Sequence, residues 1–120
     1  MVAHVSEQAR RHPLAGRTLY IPQMAYASAR LMAAAFRSIG IESYVAPDSD
    51  HETLELGGLH SSREECLPHK ITLGDFLKLC RAPGADPKKL AFFMPRAPGP
   101  CRFGQYGFAS RARSEKEGQK

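Results

Sequence analysis

The sequence predicts an α/β fold, namely an incomplete, three-layer Rossmann-like parallel sheet with the element order β-α-β-loop-α-β. A short apolar run, Leu19–Ile21, and a second segment with the character of a strand, Ile41–Ala46, stand on either side of a segment with helical periodicity. A strand, a helix and a second strand within about thirty residues form a βαβ unit with parallel strands and a right-handed crossover. A further apolar run, Leu90–Met94, has the composition of a strand covered on both faces.

The first half of the chain supplies the βαβ unit. Arg17–Pro22 is predicted as a strand, because three apolar residues precede a proline that cannot continue the ladder. Gln23–Ile39 is predicted as a helix that stops at Gly40. The expected buried stripe of this helix consists of Met24, Ser28, Leu31, Met32, Ala35 and Ile39. Ile41–Ala46 then forms the second strand.

The second half begins with a long polar stretch, Ser49–Glu65, which is predicted to be a loop that is either functional or disordered. A helix follows, and Pro68 suits its first turn because no amide hydrogen is needed there. Its buried face is expected to contain Leu73, Phe76, Leu77 and Cys80. Thr72 and Asp75 have the spacing of a capping box, so both one helix and two helices stay open. After the third strand comes a loop, Arg96–Tyr106.

The predicted domain covers residues 17–108, between a flexible N-terminal tail (1–16) and a basic C-terminal tail (109–120). Most of the net charge of +5 lies in these tails, and the body is nearly neutral. Aromatic residues interleaved with Arg and Lys, which a single-strand binder needs, are missing from the tails, so nucleic-acid binding is not expected. Because no apolar helix follows the last strand, we expect the chain to be a piece of a larger protein or to need a partner.

The length of the apolar runs and the cysteine content indicate the cellular compartment of the protein. The chain has 120 residues, and its longest apolar run, Leu31–Phe36, is far shorter than the roughly 20 residues of a membrane span. The first sixteen residues lack the apolar core of a signal peptide. Three cysteines, an odd number, favour reduced thiols, metal ligands or core packing over a disulfide scaffold. A cytoplasmic location without membrane insertion is therefore expected.

Two cysteines are expected to meet at one edge of the sheet. In parallel α/β sheets, ligands bind beyond the carboxyl ends of the strands. Cys66 belongs to the segment after the second strand and Cys101 to the loop after the third. Both thiols are thereby predicted to lie on the same rim.

The surroundings of each cysteine suit a thiolate. Cys66 directly precedes the helix that Pro68 begins, where unpaired backbone amides and the helix dipole stabilise negative charge. Cys101 lies between two glycines that permit close backbone approach, and Arg102 places positive charge beside it. Soft thiolates of this kind suit iron–sulfur clusters or zinc. For both cysteines the alternative is a structural role, a small residue in a buried loop or a tight turn.

Zinc remains a further alternative. His69 follows Cys66 by three residues, so Cys66, His69, Cys101 and one more residue could form a zinc site. The paired Cys-x-x-Cys or His-x-x-x-His spacings that specify zinc are not present. Cys80 is expected in the core, because it falls on the apolar face of its helix.

Three motifs carry a resemblance to a known family. They are Arg17-Thr18-Leu19-Tyr20-Ile21-Pro22, Glu65-Cys66-Leu67-Pro68 with Gly74-Asp75, and Gly99-Pro100-Cys101-Arg102-Phe103-Gly104-Gln105-Tyr106. Over about residues 15–108 the sequence resembles the acyl-CoA dehydratase activase-related proteins, which are similar to the D-component subunits of 2-hydroxyacyl-CoA dehydratases. The last motif is the most specific of the three.

The resemblance implies an oxygen-sensitive iron–sulfur protein of anaerobic metabolism that takes part in low-potential electron transfer. Cys66 and Cys101 match the family's ligand positions for a 4Fe-4S type cluster. Because the family draws at least three cysteines from a longer chain, the cluster is expected to be shared with another chain or segment. The implied partners are dehydratase or ATP-dependent activator subunits in a homo- or hetero-oligomer, and catalysis by this chain alone is not expected. The alternatives are a non-catalytic α/β interaction module with structural cysteines and a zinc-stabilised domain.

Overall fold

A computed structural model describes residues 12–62 and 64–118 and has the predicted α/β class, with three parallel strands and four helices. The elements are β1 (Thr18–Ile21), α1 (Tyr26–Ser38), β2 (Ser43–Val45), α2 (His51–His60), α3 (Leu67–Arg81), β3 (Leu90–Phe92) and α4 (Tyr106–Gly118), with 3-10 helices at Pro87–Lys89 and Arg102–Gln105. The arrangement is that of a small, incomplete Rossmann-like fold. None of the helices in these residues is long and apolar enough to cross a lipid bilayer.

The contacts divide the described chain into two units. A sheet unit contains residues 12–46 and 88–93, and a helical unit contains residues 47–62, 64–87 and 94–118. In the sheet unit, β1 is central and pairs in parallel with β2 on one side and β3 on the other. Its inward residues, Leu19 and Ile21, pack with Ala29 and Ala33 of α1.

The buried face of α1 differs from the expected stripe. Ala29 and Ala33 are buried, whereas Leu31, which the stripe placed inside, is 72% exposed. Small alanine side chains let the helix backbone lie close to the strands, and the larger Met32 and Phe36 pack at the edge of this contact. The helix was predicted correctly, but its orientation was wrong because the periodicity was judged by large side chains.

The loop predicted at Ser49–Glu65 is wrong over most of its length, because His51–His60 forms helix α2. Asp50 begins this helix as its N-cap and accepts a hydrogen bond from the Thr53 amide at 3.0 Å. The Asp50 amide donates in return to the Thr53 hydroxyl at 3.2 Å, which completes a capping box.

Helices α2 and α3 form the helix pair, whose backbones touch at two glycines. A Cβ on Gly57 would overlap the carbonyl oxygen of Lys70, and a Cβ on Gly74 would overlap that of Thr53. Leu56, Leu73 and Leu77 fill the core beside this crossing. The glycines therefore serve a close helix contact and not a turn.

A buried carboxylate fixes the start of α2 to α3. Asp75, 4% exposed, accepts hydrogen bonds from the hydroxyls of Ser49 at 2.6 Å and Thr53 at 2.7 Å. Lys78 donates to the Thr53 hydroxyl and forms an ion pair with Asp50 at 3.0 Å. Asp75 thus joins the two helices and does not cap a second one. The open question of one helix or two is resolved as one, Leu67–Arg81.

The ends of the predicted domain also differ from expectation. Residues 106–118 form α4, where a basic tail was predicted from residue 109. At the other end, residues 12–16 form a turn, and Leu14 packs against the core of the sheet unit. Residues 1–11 of the predicted N-terminal tail lie outside the described residues.

Candidate functional site

Both candidate cysteines belong to the helical unit. Cys66 is the N-cap of α3, with an extended backbone, and Pro68 occupies the first turn after it. Cys101 precedes the 3-10 helix Arg102–Gln105, which continues directly into α4. The prediction that both thiols lie at the carboxyl edge of the sheet stays a prediction.

Tyr106 connects the two cysteine segments. Its hydroxyl lies 2.6 Å from Sγ of Cys66, although the two residues are 40 positions apart. Tyr106 is five residues after Cys101 and begins α4, so the contact brings the Cys101 motif to the start of α3. Only 4% of Tyr106 is exposed.

Aromatic neighbours fix the ring of Tyr106. The imidazole of His69 stacks on it, with the ring centres 4.5 Å apart and the planes 15° from parallel. Phe103 contacts it edge-on at 5.3 Å between centres. His69 lies about one turn after Cys66 on α3. The helix that follows Cys66 therefore also carries the imidazole that stacks on Tyr106.

A second contact ties the Cys101 motif to Cys66. The guanidinium of Arg102 donates a hydrogen bond to the carbonyl oxygen of Glu64, two residues before Cys66. Arg102 and Tyr106 therefore hold the start of α3 from two points of the same short segment. The Glu65–Pro68 motif and the Gly99–Tyr106 motif, which lie more than thirty residues apart along the chain, are therefore in contact.

Cys101 is exposed, in contrast to the partly buried Cys66. We call residues 96–105 the Cys101 segment; most of it lines a cavity of about 520 Å³. Gly99 has a φ of 140°, in the region that favours glycine, and a Cβ on Gly104 would lie 2.9 Å from the carbonyl oxygen of Ala97. The guanidinium of Arg96 stacks over the Phe108 ring at 4.4 Å. The cavity thus combines an exposed thiol with two cationic side chains.

The contact with Tyr106 favours the thiolate of Cys66. The hydrogen bond from the Tyr106 hydroxyl lowers the pKa of the Cys66 thiol, burial opposes it, and the charge of Arg102 acts in the same direction as the hydrogen bond. Burial and the hydrogen bond to Cys66 raise the pKa of Tyr106 to about 12. The charge of Cys101 also raises the Tyr106 pKa, so both thiols lie within electrostatic reach of one hydroxyl.

The ligand set that this chain offers is small. Within residues 12–62 and 64–118, no three His, Cys, Asp or Glu side chains are grouped so that they could hold one metal ion. Cys66, His69 and Cys101 are therefore not gathered into the zinc site that the sequence left open. Cys80 is partly buried in the last turn of α3. The soft donors available at this site are the thiols of Cys66 and Cys101.

Sequence reasoning missed the role of Tyr106 and His69. Tyr106 is the last residue of the Gly-Pro-Cys motif, and its place at the end of that motif was the available signal. His69 was considered as a zinc ligand, but burial lowers its pKa and its ring packs flat on Tyr106. Tyr106 contacts the sulfur of Cys66, and His69 packs against the ring of Tyr106.

No family model matches the chain, and neither a curated protein nor a solved structure matches it either.

Proposed function

We propose that this chain contributes two thiolates, from Cys66 and Cys101, to a 4Fe-4S type cluster in a low-potential electron-transfer system of the acyl-CoA dehydratase and activase type. The observation that carries the proposal is the pair of contacts, Tyr106 with Cys66 and Arg102 with Glu64, which joins the two cysteine segments in one unit. Thiolates are the usual protein ligands of such clusters.

The electrostatics of the site support an anionic group. A cluster bound by thiolates carries net negative charge, and Arg96 and Arg102 flank Cys101. The Cys66 thiol has a lowered pKa, so less proton release opposes its binding to iron. When bound, the cluster would supply one-electron transfer, and the chain would supply ligands, positive charge and hydrogen bonds to sulfur.

The number of ligands determines how the site is completed. Two cysteines are fewer than the four thiolates that typically hold a 4Fe-4S cluster. The remaining ligands then come from a further segment or from another chain, which would be a second copy or a dehydratase or activator subunit. The exposure of Cys101 and the open cavity beside it suit a cluster that is shared in this way.

Anaerobic reconstitution of the full chain with ferrous iron and sulfide tests the proposal. An excess of a small thiol is included so that external sulfur can fill the remaining ligand positions. We expect visible charge-transfer absorption and bound iron in the native chain, and neither in the Cys66→Ser, Cys101→Ser double variant. Cys80→Ser is the matched control and should keep the absorption.

Two results would overturn the proposal. One is the lack of absorption in the native chain, and the other is equal absorption in the double variant. Either result would leave the interaction module with structural cysteines as the better reading. Metal analysis of anaerobically purified protein distinguishes the cluster-binding chain and the interaction module from a zinc-stabilised domain, because only the last would contain zinc before reconstitution.

A further inference from the structure

We infer that Tyr106 is a positioning residue whose hydroxyl donates a hydrogen bond to the sulfur of Cys66 and fixes the direction in which that sulfur faces a ligand. The part of this inference that concerns iron rests on the proposed function. The hydrogen bond itself does not, because it joins two side chains of this chain.

The donor can be assigned from chemistry. A phenol is a good hydrogen-bond donor, whereas a thiol is a weak donor and a thiolate can only accept. Oη of Tyr106 lies 2.6 Å from Sγ of Cys66, so the two atoms are within hydrogen-bond distance. Tyr106 is 4% exposed, so water competes little for its hydroxyl.

The ring of Tyr106 is held so that its hydroxyl has one direction. His69 covers one side of the ring and Phe103 contacts it edge-on. His69 is itself 4% exposed, and within the described residues its Nε2 atom has no hydrogen-bond partner. The stacked contact with Tyr106 is therefore its principal described side-chain contact.

This arrangement predicts what a bound cluster would experience. A hydrogen bond donated to a ligating sulfur draws negative charge away from iron and raises the reduction potential of the cluster. Removing the Tyr106 hydroxyl would therefore make the potential more negative. In the chain without iron, the same change would remove the donor that holds the Cys66 sulfur in its present direction, and we expect an alkylating reagent to react with that sulfur more slowly.

The test compares Tyr106→Phe, which keeps the ring, with Tyr44→Phe, which removes a hydroxyl from an exposed ring. Alkylation of Cys66 by iodoacetamide at neutral pH, followed by mass spectrometry on the metal-free full chain, should be about three- to tenfold slower in Tyr106→Phe. Tyr44→Phe should react like the native chain. In the reconstituted protein, only Tyr106→Phe should show a more negative potential.

The outcomes separate this inference from the proposed function. Slower alkylation in a chain that never binds iron supports the hydrogen bond and overturns the cluster proposal. Native alkylation and native potential in Tyr106→Phe overturn the inference about Tyr106. If Tyr106→Phe is less stable, a double-mutant cycle with Cys66→Ala decides, because a real hydrogen bond gives non-additive changes in the free energy of unfolding and additive changes contradict it.

Discussion

The helix pair and the Cys101 segment hold their thiols in different ways. In the helix pair, the two backbones touch at glycines and Leu77 is fully buried. Packing along the whole of α3 therefore fixes its first residues and the Cys66 thiol before them. The Cys101 segment is mostly exposed and is held by Arg102 and by Tyr106 directly after it. The difference teaches that one side of the site is formed by the fold, whereas the other depends on a few polar and aromatic contacts.

The largest effect is expected where the helix pair has no room. Gly74→Ala should lower the free energy of unfolding by about 4 kcal/mol or more, because the new Cβ would overlap the backbone of Thr53 and force the helices apart. Urea denaturation followed by circular dichroism measures this. Gly58→Ala is the matched control: nothing lies within 4 Å of its Cβ, and a stability gain of up to about 1 kcal/mol is expected from helix propensity. Equal behaviour of the two variants would contradict the close crossing.

A somewhat smaller effect is expected from a cavity in the same core. Leu77→Ala should cost about 3 kcal/mol, because the side chain is 0% exposed and the helices cannot close the gap while their backbones already touch at Gly57 and Gly74. Leu59→Ala, on the same helix pair but 79% exposed, should stay within about 0.5 kcal/mol of the native chain. Thermal unfolding compares the two variants. A small loss in Leu77→Ala would show that the pair is loosely packed.

The two cysteines themselves sharpen the comparison. Cys66→Ala should destabilise the chain by about 1 kcal/mol, because it leaves the buried hydroxyl of Tyr106 without its partner. Cys101→Ala removes an exposed thiol and should change stability by less than about 0.5 kcal/mol. Chemical denaturation under reducing conditions measures both. A larger loss of stability in Cys101→Ala than in Cys66→Ala would contradict the view that Cys66 is the more firmly held of the two cysteines.

The same contrast explains how much of the fold the sequence could predict. All three strands were placed within one or two residues, because each is a short segment with strand-forming residues beside a proline or a glycine. Helix α2 was missed because its stretch of sequence is polar and contains two adjacent glycines, and only the neighbouring backbone of α3 shows that Gly57 serves a helix crossing. Local patterns indicate a strand well, but they do not show which second element requires a small residue.

For the candidate site, the sequence indicated the local setting of each cysteine. Cys66 was selected as a candidate from its place before a proline-initiated helix, and Cys101 from its glycine-bounded motif. The role of both thiols as ligands stays a prediction. The link between them could not be predicted, because it depends on α4 beginning at Tyr106, in a region expected to be a loop and a tail. A hydrogen bond between residues 40 positions apart has no local signal.

The smallest effect is expected from the charge of Asp50, the N-cap of α2. The amide of Thr53 and the ammonium of Lys78 hold the pKa of Asp50 below its usual value. A carboxylate whose pKa is lower in the folded than in the unfolded chain adds stability above the unfolded pKa, and this contribution is lost as the pH falls through the folded one. Asp50→Asn keeps a good N-cap but removes the charge, so stability should fall less steeply in acid than in the native chain.

Glu52→Gln is the matched control, because it removes a carboxylate from the first turn of the same helix and leaves the cap intact. Urea denaturation over the acid range measures the slope of unfolding free energy against pH for both variants. A flatter slope in Asp50→Asn alone would assign the acid sensitivity to the Asp50 carboxylate and its contacts with Thr53 and Lys78, whereas equal slopes in the two variants would contradict that assignment. Because this ion pair lies at the start of α2 and the Cys101 segment takes no part in it, alkylation of the exposed Cys101 should be the same in Asp50→Asn and in the native chain under conditions where both are folded.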